Sequence, residues 1–498
     1  MRFKEFGKNE SYSKSLTLYA QLKKEEKNYL IAEKLLNESI ALNKLIRNDN
    51  LAPNVIKALM YKELNKFDLA EKEFKHIISI DKNKDEFYWK SISELLNLLA
   101  EKGEFKEGEN LIKTIDLKDI QNYKSKIEVF DSFSYFYYRL NDFDKYFDYV
   151  VEASNLRLDF YNNDHPEIAK GLNNFAMICK EIGEYDKALE YLYKALKIHT
   201  KINGENNKLT AVYLKNIGDC YLELNNFNLS QKSYNAAFNI FINDITINHV
   251  EFYSLINSLS ILYYLNNQHE KAIKLYYDYI INSKNNFYFE LNPDWFTTLS
   301  NYAMFLDANL ESKVASNYYI KALDNFKKQS FYFIDFLSNS EIHSFWFDKL
   351  HCMDLIKSFI NVKPSEFHEL NSIAFNNELL IKNLTLRNQQ RIKKSIEKSN
   401  NLELKEKYEQ FVANKRYLTK LEDQPQDKSP ENYETLKAET DILEKDITRI
   451  SSTFADAKKI LAITWQDIQQ KLKPNEVVID LVSYNFYNKK WTDSIMYG

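Results

Sequence analysis

Four polar pairs recur through the middle of the chain at steps of 42 and 43 residues. They are Asn173 with Asn174, Lys215 with Asn216, Asn257 with Ser258, and Ser300 with Asn301. An Asn carboxamide both donates and accepts hydrogen bonds. It can therefore match either half of a peptide unit without reading a ligand's side chains. A neighbouring lysine or serine adds a donor. The chemistry on offer is recognition of polypeptide backbone. Asparagine is abundant throughout this chain, so a plain compositional reading of the ladder stands beside the functional one.

Bond-making chemistry has little to work with. The 3 cysteines are Cys179, Cys220 and Cys352, and none has CxxC spacing. An odd count without paired spacing argues against a disulfide framework and for a reducing compartment. Cys179 and Cys220 fall inside helical patterns and read as core. His165 belongs to a loop phrase and His199 to a helix end, and neither completes a metal-ligand spacing. Glycine numbers only 8, and after Gly218 the next is Gly498. Phosphate loops and tight sheet turns need glycine, so a folded α/β domain in that interval is not expected. The expectation is no catalytic residue, no metal and no cofactor within this chain.

Charge narrows the partners. The chain has 67 Lys+Arg against 71 Asp+Glu, a formal net charge of -4. That balance gives no electrostatic reason to bind nucleic acid or an anionic membrane. The basic run Arg391–Lys394 is short, has acidic neighbours and reads as a solvated helix face. No stretch approaches 18 apolar residues, and the N-terminus lacks a signal-peptide core. A cytoplasmic protein is expected.

The polar pairs need elements to position them, and a repeat supplies these. Take Tyr29, Phe67, Phe105, Phe143, Tyr185, Phe227, His269 and Ser312 as anchors. Their spacing is 38 residues at first, then 42 and 43. Three residues after each stand Ala32, Ala70, Gly108, Tyr146, Ala188, Ser230, Ala272 and Ala315. Nine before stand Ala20, Ala58, Leu96, Ser134, Ala176, Gly218, Ser260 and Ala303. Seven after stand Leu36, Phe74, Ile112, Val150, Leu192, Tyr234, Tyr276 and Tyr319. Two antiparallel helices cross closely where small residues face each other, and large residues fill the space to the next pair. One pair cannot bury its apolar face alone, so the pairs must stack. Leu96, Tyr146, His269 and Ser312 break the pattern and weaken the third, fourth and last repeats.

This small–small–aromatic frame resembles the tetratricopeptide repeat over about residues 10–330. The 42-residue form, seen in Asn162–Ala176, is similar to the kinesin-light-chain type. Pro166 suits the first turn of a helix there, with Asp164 near the cap. The resemblance implies an all-α superhelix, an α-solenoid, that holds a peptide or partner helix in a concave groove lined by first helices. It places Asn173, Asn174, Lys215, Asn216, Asn257, Ser258, Ser300 and Asn301 on that inner face.

The last third reads differently. Residues 331–463 give an aromatic capping helix, with Phe331, Tyr332, Phe333, Phe336, Phe345, Trp346 and Phe347, and then a long helical hairpin. The hairpin is coiled-coil-like, and a polar break at Gln424–Pro430 separates its last helix, about 431–457. Residues 464–498 give a short capped helix, a turn at Lys473–Glu476, a β-branched run Val477–Ser483 and a second strand near Trp491–Tyr497. This reads as the opening of a sheet. The order of parts resembles the TPR–CHAT family, in which repeats lead to a caspase-like peptidase domain. The phrases Leu370–Leu384, Trp465–Gln469 and Leu472–Asp480, with Tyr484, carry the resemblance. That family's catalytic histidine and cysteine have no counterpart here, because His343, His351 and Cys352 lie upstream in a helical segment. The implied function is protein binding by the regulatory part of such a peptidase, with catalysis absent from this chain. The alternative is a stand-alone repeat adaptor.

Overall fold

The computed structural model describes residues 9–243 apart from 27, 65 and 163, then 250–282, 292, 294–333, 345–346, 349–363, 366–398 and 401–422. It also describes scattered positions from 436 to 447, then 463–479, 481–488 and 491–497. The chain divides into two compact units, Met1–Phe287 and Tyr288–Gly498.

The first unit is a run of antiparallel helix pairs. They are α1 (Glu10–Glu25) with α2 (Tyr29–Ile46), α3 (Ala52–Glu63) with α4 (Phe67–Ile80), and α5 (Glu86–Lys102) with α6 (Phe105–Lys113). Next come α7 (Tyr123–Arg139) with α8 (Phe143–Phe160), and α9 (Pro166–Glu181) with α10 (Tyr185–Asn203). The last are α11 (Lys208–Glu223) with α12 (Phe227–Ile242), and α13 (Val250–Leu265) with α14 (His269–Tyr276). Every anchor of the sequence frame in this unit is the first residue of a second helix.

The turn inside each pair explains that regularity. The residue two before the anchor is left-handed at Gly103, Asn141, Gly183, Asn225 and Asn267, with φ between 57° and 80°. Glycine and asparagine tolerate that conformation, which ends a first helix and redirects the chain. The bond from the residue after it closes the turn, as in Glu184 N to Cys179 O at 2.8 Å and Asn226 N to Tyr221 O at 2.8 Å. Pro166 opens α9 as expected. His165 supplies the capping acceptor, and neighbouring Asp164 pairs with Lys201 at 2.9 Å.

The core follows the three columns. Ala20, Ala32, Ala58, Ala70, Ala188 and Ala272 have no exposed surface, and Leu36, Phe74, Leu192, Tyr234 and Tyr276 are buried beside them. Leu96 and Tyr146, the misfits of the frame, are also buried. The third pair departs from the rest. Its second helix is short, and Gly108 lies so close to the Phe136 ring of α7 that a Cβ there would overlap it.

The second unit holds one more pair, α15 (Trp295–Ala308) and α16 (Ser312–Phe333), again with the anchor opening the second helix. Here Leu310 takes the left-handed position, with φ 65°. After it come α17 (Leu350–Val362), α18 (His368–Lys398), α19 (Leu402–Glu422) and α20 (Trp465–Gln469). The aromatic segment expected as one capping helix is divided. α16 runs on to Phe333, and Trp346 packs on Phe326 at 4.2 Å while Phe359 of α17 packs on Tyr319 at 5.0 Å. Phe336 and Phe347 lie outside the described residues. Ile396 of α18, Leu404 and Phe411 of α19, and Ile447 are buried together. The Gln424–Pro430 break lies outside the described residues. Thr464 caps α20 as a capping box with Asp467. Strands β1 (Ser483–Tyr487) and β2 (Trp491–Tyr497) pair antiparallel, with a bulge between Asn485 and Tyr487.

Candidate polypeptide-binding face

The first helices of the first unit share one face, and its polar side chains form two groups. On α9 and α11, Asn216 Nδ2 donates to Asn173 Oδ1 at 2.8 Å. Lys215 pairs with Asp219 at 3.0 Å, one helical turn away, and Lys180 reaches the same carboxylate at 3.4 Å. The Tyr234 hydroxyl of α12 donates to Asp219 Oδ1 at 2.8 Å. Burial would raise the Asp219 carboxyl, but Lys215, Lys180 and the Tyr234 bond outweigh it and hold the group at about 2. On α13, Asn257 Oδ1 accepts from the Tyr276 hydroxyl of α14 at 3.2 Å.

The second group lies on α3, α5 and α7. Lys62 pairs with Glu94 at 3.0 Å and with Glu101 at 3.6 Å. Lys90 pairs with Glu94 at 3.2 Å and with Glu128 at 3.7 Å. Burial acts to raise the Glu94 carboxyl, and the two lysines override it to about 2. These pairs link successive first helices. Burial raises the Tyr135 hydroxyl well above the usual tyrosine range; Arg139 and Lys62 oppose the rise, and Glu101 and Glu251 add to it. Those charges stand on α3, α5, α7 and α13.

Six of the eight candidate residues lie on α9, α11 and α13, on one unit. Asn173, Asn174, Asn257 and Ser258 are half-buried, while Lys215 and Asn216 are buried. Ser300 and Asn301 fall in the second unit, on α15, and both are buried. The Ser300 hydroxyl donates to its own helix at Phe296 O, 2.8 Å away. Asp219, Tyr234, Tyr276, Lys180 and the Lys62–Glu94–Glu101–Lys90–Glu128 group were not singled out from the sequence. The available signal was the hydroxyl in the last members of the large column.

The thiols offer no accessible nucleophile among the described residues. Burial pushes the Cys220 thiol up to about 12 and raises Cys179 as well. Cys352 Sγ lies 3.2 Å from His351 Nε2, but Cys352 has no exposed surface. Glu71, Glu104 and Glu107 bring carboxylates within 4.8 Å of one another. Lys102 already pairs with Glu71 at 2.6 Å and Glu104 at 2.9 Å, and Lys75 with Glu71 at 2.7 Å. No described helix is long and apolar enough to cross a membrane.

Sequence profiles of the tetratricopeptide repeat match residues 133–198, 167–243 and 54–84. The chain carries tetratricopeptide repeats. Those matches fall on the α3–α4 pair and on α7 to α12, while α5, α13 and α14, which also carry members of the two polar groups, lie outside them. A clustered mitochondria protein homolog of Candida albicans is 35% identical over 91 residues, which is 18% of this chain and 7% of that protein. The chain thus spans a small fraction of that relative. Solved structures are also similar at low identity. BtubC (BKLC) from P. vanneervenii is 19% identical over 43% of this chain and 87% of its own, with TM-score 0.33. Nearly identical TPR-like repeats assigned to a kinesin light chain of Podosopora anserina are 13% identical over 42% of this chain and 98% of their own, with TM-score 0.32. The APC/C hetero-tetramer Cut9–Hcn1 is 17% identical over 70% of this chain and 59% of its own, with TM-score 0.43.

Proposed function

We propose that this chain is a protein-binding scaffold whose first-helix face on α9, α11 and α13 holds an extended polypeptide by its backbone. The Asn216–Asn173 bond carries the reading. It uses one N–H of Asn216 and the carbonyl oxygen of Asn173, and so leaves the Asn173 NH2 as a donor and the Asn216 oxygen as an acceptor. An extended peptide presents N–H and C=O from one residue on one side, which is the complementary arrangement. Lys215 is already engaged by Asp219 and serves to fix this helix face.

The test begins with affinity capture by the purified chain and identification of the captured protein. A peptide from it is then titrated calorimetrically. Changing both Asn173 and Asn216 to Ala is expected to weaken binding about tenfold or more, since each lost bond contributes about 0.5–1.5 kcal/mol. Equal affinity for the double variant would discard the assignment.

A finer reading makes the scaffold the recognition part of a CHAT-type caspase-like peptidase. The order of parts in residues 365–498 supports it. On that reading the gene continues in frame to a histidine and a cysteine at strand ends, whereas an immediate stop codon would favour a decayed copy that keeps its recognition half. A reducing, cytoplasmic setting suits the three free thiols.

A further inference from the structure

We infer that the polypeptide on the α9–α11–α13 face is bound as a polyproline II helix, so that the partner segment is proline-rich and turns every third residue toward the face. The inference rests on the reading above that this face holds a polypeptide by its backbone. α9, α11 and α13 are each 16 residues long and begin 42 residues apart. Asn173 with Asn174, Lys215 with Asn216, and Asn257 with Ser258 therefore stand at the same height on the three helices. They form rungs that run across the helices, not along one. α9 and α11 touch directly, through Asn216 Nδ2 to Asn173 Oδ1 at 2.8 Å and Lys180 to Asp219 at 3.4 Å. Packed helices lie about 8–10 Å apart, so a ligand meets a new rung about every 8–10 Å.

That step decides between ligand conformations. A β-strand rises about 3.3 Å per residue and presents the same side every second residue, about 6.7 Å on. By the next rung it has advanced nearly three residues and turns its opposite side. An α-helix repeats its face about every 5.4 Å and uses its own N–H and C=O groups internally. A polyproline II helix has three residues per turn at about 3.1 Å each, so its face returns about every 9.3 Å. It makes no internal hydrogen bonds, and its backbone groups are free for the rungs. The Asn173 NH2 and the Asn216 oxygen are a donor and an acceptor for such groups. Only one residue in three is read, so proline, which lacks an N–H, fits at the other two. Prolines there also fix φ before binding and lower the ordering cost.

The test titrates the whole 498-residue chain with three synthetic peptides. They are four repeats of Pro-Gln-Ala, six repeats of Pro-Gln, and four repeats of Thr-Gln-Ala. The first should bind about tenfold tighter than the third, because it is ordered in advance. It should also bind tighter than the second, which puts proline on every other rung. Amide exchange in the bound Pro-Gln-Ala peptide should slow once in each three residues. Equal affinity for Thr-Gln-Ala, tighter binding of Pro-Gln, or no binding of Pro-Gln-Ala overturns the inference. The Asn173→Ala/Asn216→Ala variant, checked for unchanged helical circular dichroism, separates the two ways of failing. If the parent binds Pro-Gln-Ala and Thr-Gln-Ala equally and the variant loses both, the face holds backbone but not in this form. If the variant binds Pro-Gln-Ala as the parent does, the face itself is misassigned and the inference falls with it.

Discussion

Replacing Gly218 with Ala should cost about 3 kcal/mol of stability, although alanine is the better helix former. The added Cβ would lie 2.5 Å from two atoms of the Tyr234 ring. That ring is fully buried, so it has nowhere to move. Overpacking of this kind costs about 1–3 kcal/mol. A displaced ring also pulls its hydroxyl from Asp219, and a hydrogen bond to a charged group contributes about 1.5–3 kcal/mol. Helix propensity returns at most about 1 kcal/mol. Gly171→Ala is the control. Its Cβ would meet Arg157 Cδ at 3.4 Å, an ordinary contact, so it should be neutral or slightly stabilising. Urea unfolding of the two variants decides the matter, and equal stabilities would show that the small column is not a packing constraint at Gly218.

That contrast also shows what the sequence disclosed. The period fixed where second helices start, because one turn geometry and one close crossing are reused in each pair. The small and large columns therefore appear in the core almost without exception, Leu96 and Tyr146 included. The left-handed turn column, Gly103 to Asn267, is glycine or asparagine two residues before five of the anchors, a signal that the reading of the three packing columns did not use. The polar ladder was legible only as positions. Which groups pair depends on how first helices curve toward one another, and the linear pattern does not contain that curvature. Thus Lys215, read as a ligand donor, instead neutralises Asp219. Tyr234 and Tyr276, read as core volume, send hydroxyls to Asp219 and Asn257. Ser300 and Asn301 kept the spacing of the ladder but sit in the other unit, buried, because the repeat frame outlasts the unit boundary.

Arg157 should be the most sensitive single charge in the first unit, with Arg157→Ala costing about 3–5 kcal/mol. Its side chain is 1% exposed, yet it is charged. Burial would lower its affinity for the proton, and Asp131 with Glu167 outweigh that. Nη1 donates to Asp131 Oδ1 at 2.9 Å, Nη2 bonds the other oxygen of Asp131, and Nε lies 3.4 Å from Glu167 Oε2. One guanidinium on α8 therefore holds α7 and α9, and so joins the 38-residue repeats to the 42-residue repeats. Removing one member of a buried ionic group leaves the others uncompensated, which is the source of the large cost. Arg157→Met keeps most of the volume and loses only the charge. If the ionic link is what matters, Met should be nearly as damaging as Ala, and adding Asp131→Asn to the Met variant should restore part of the loss. A Met variant as stable as the parent would instead assign this junction to packing alone. In that case the change of repeat length at this point would owe nothing to the charge that bridges it.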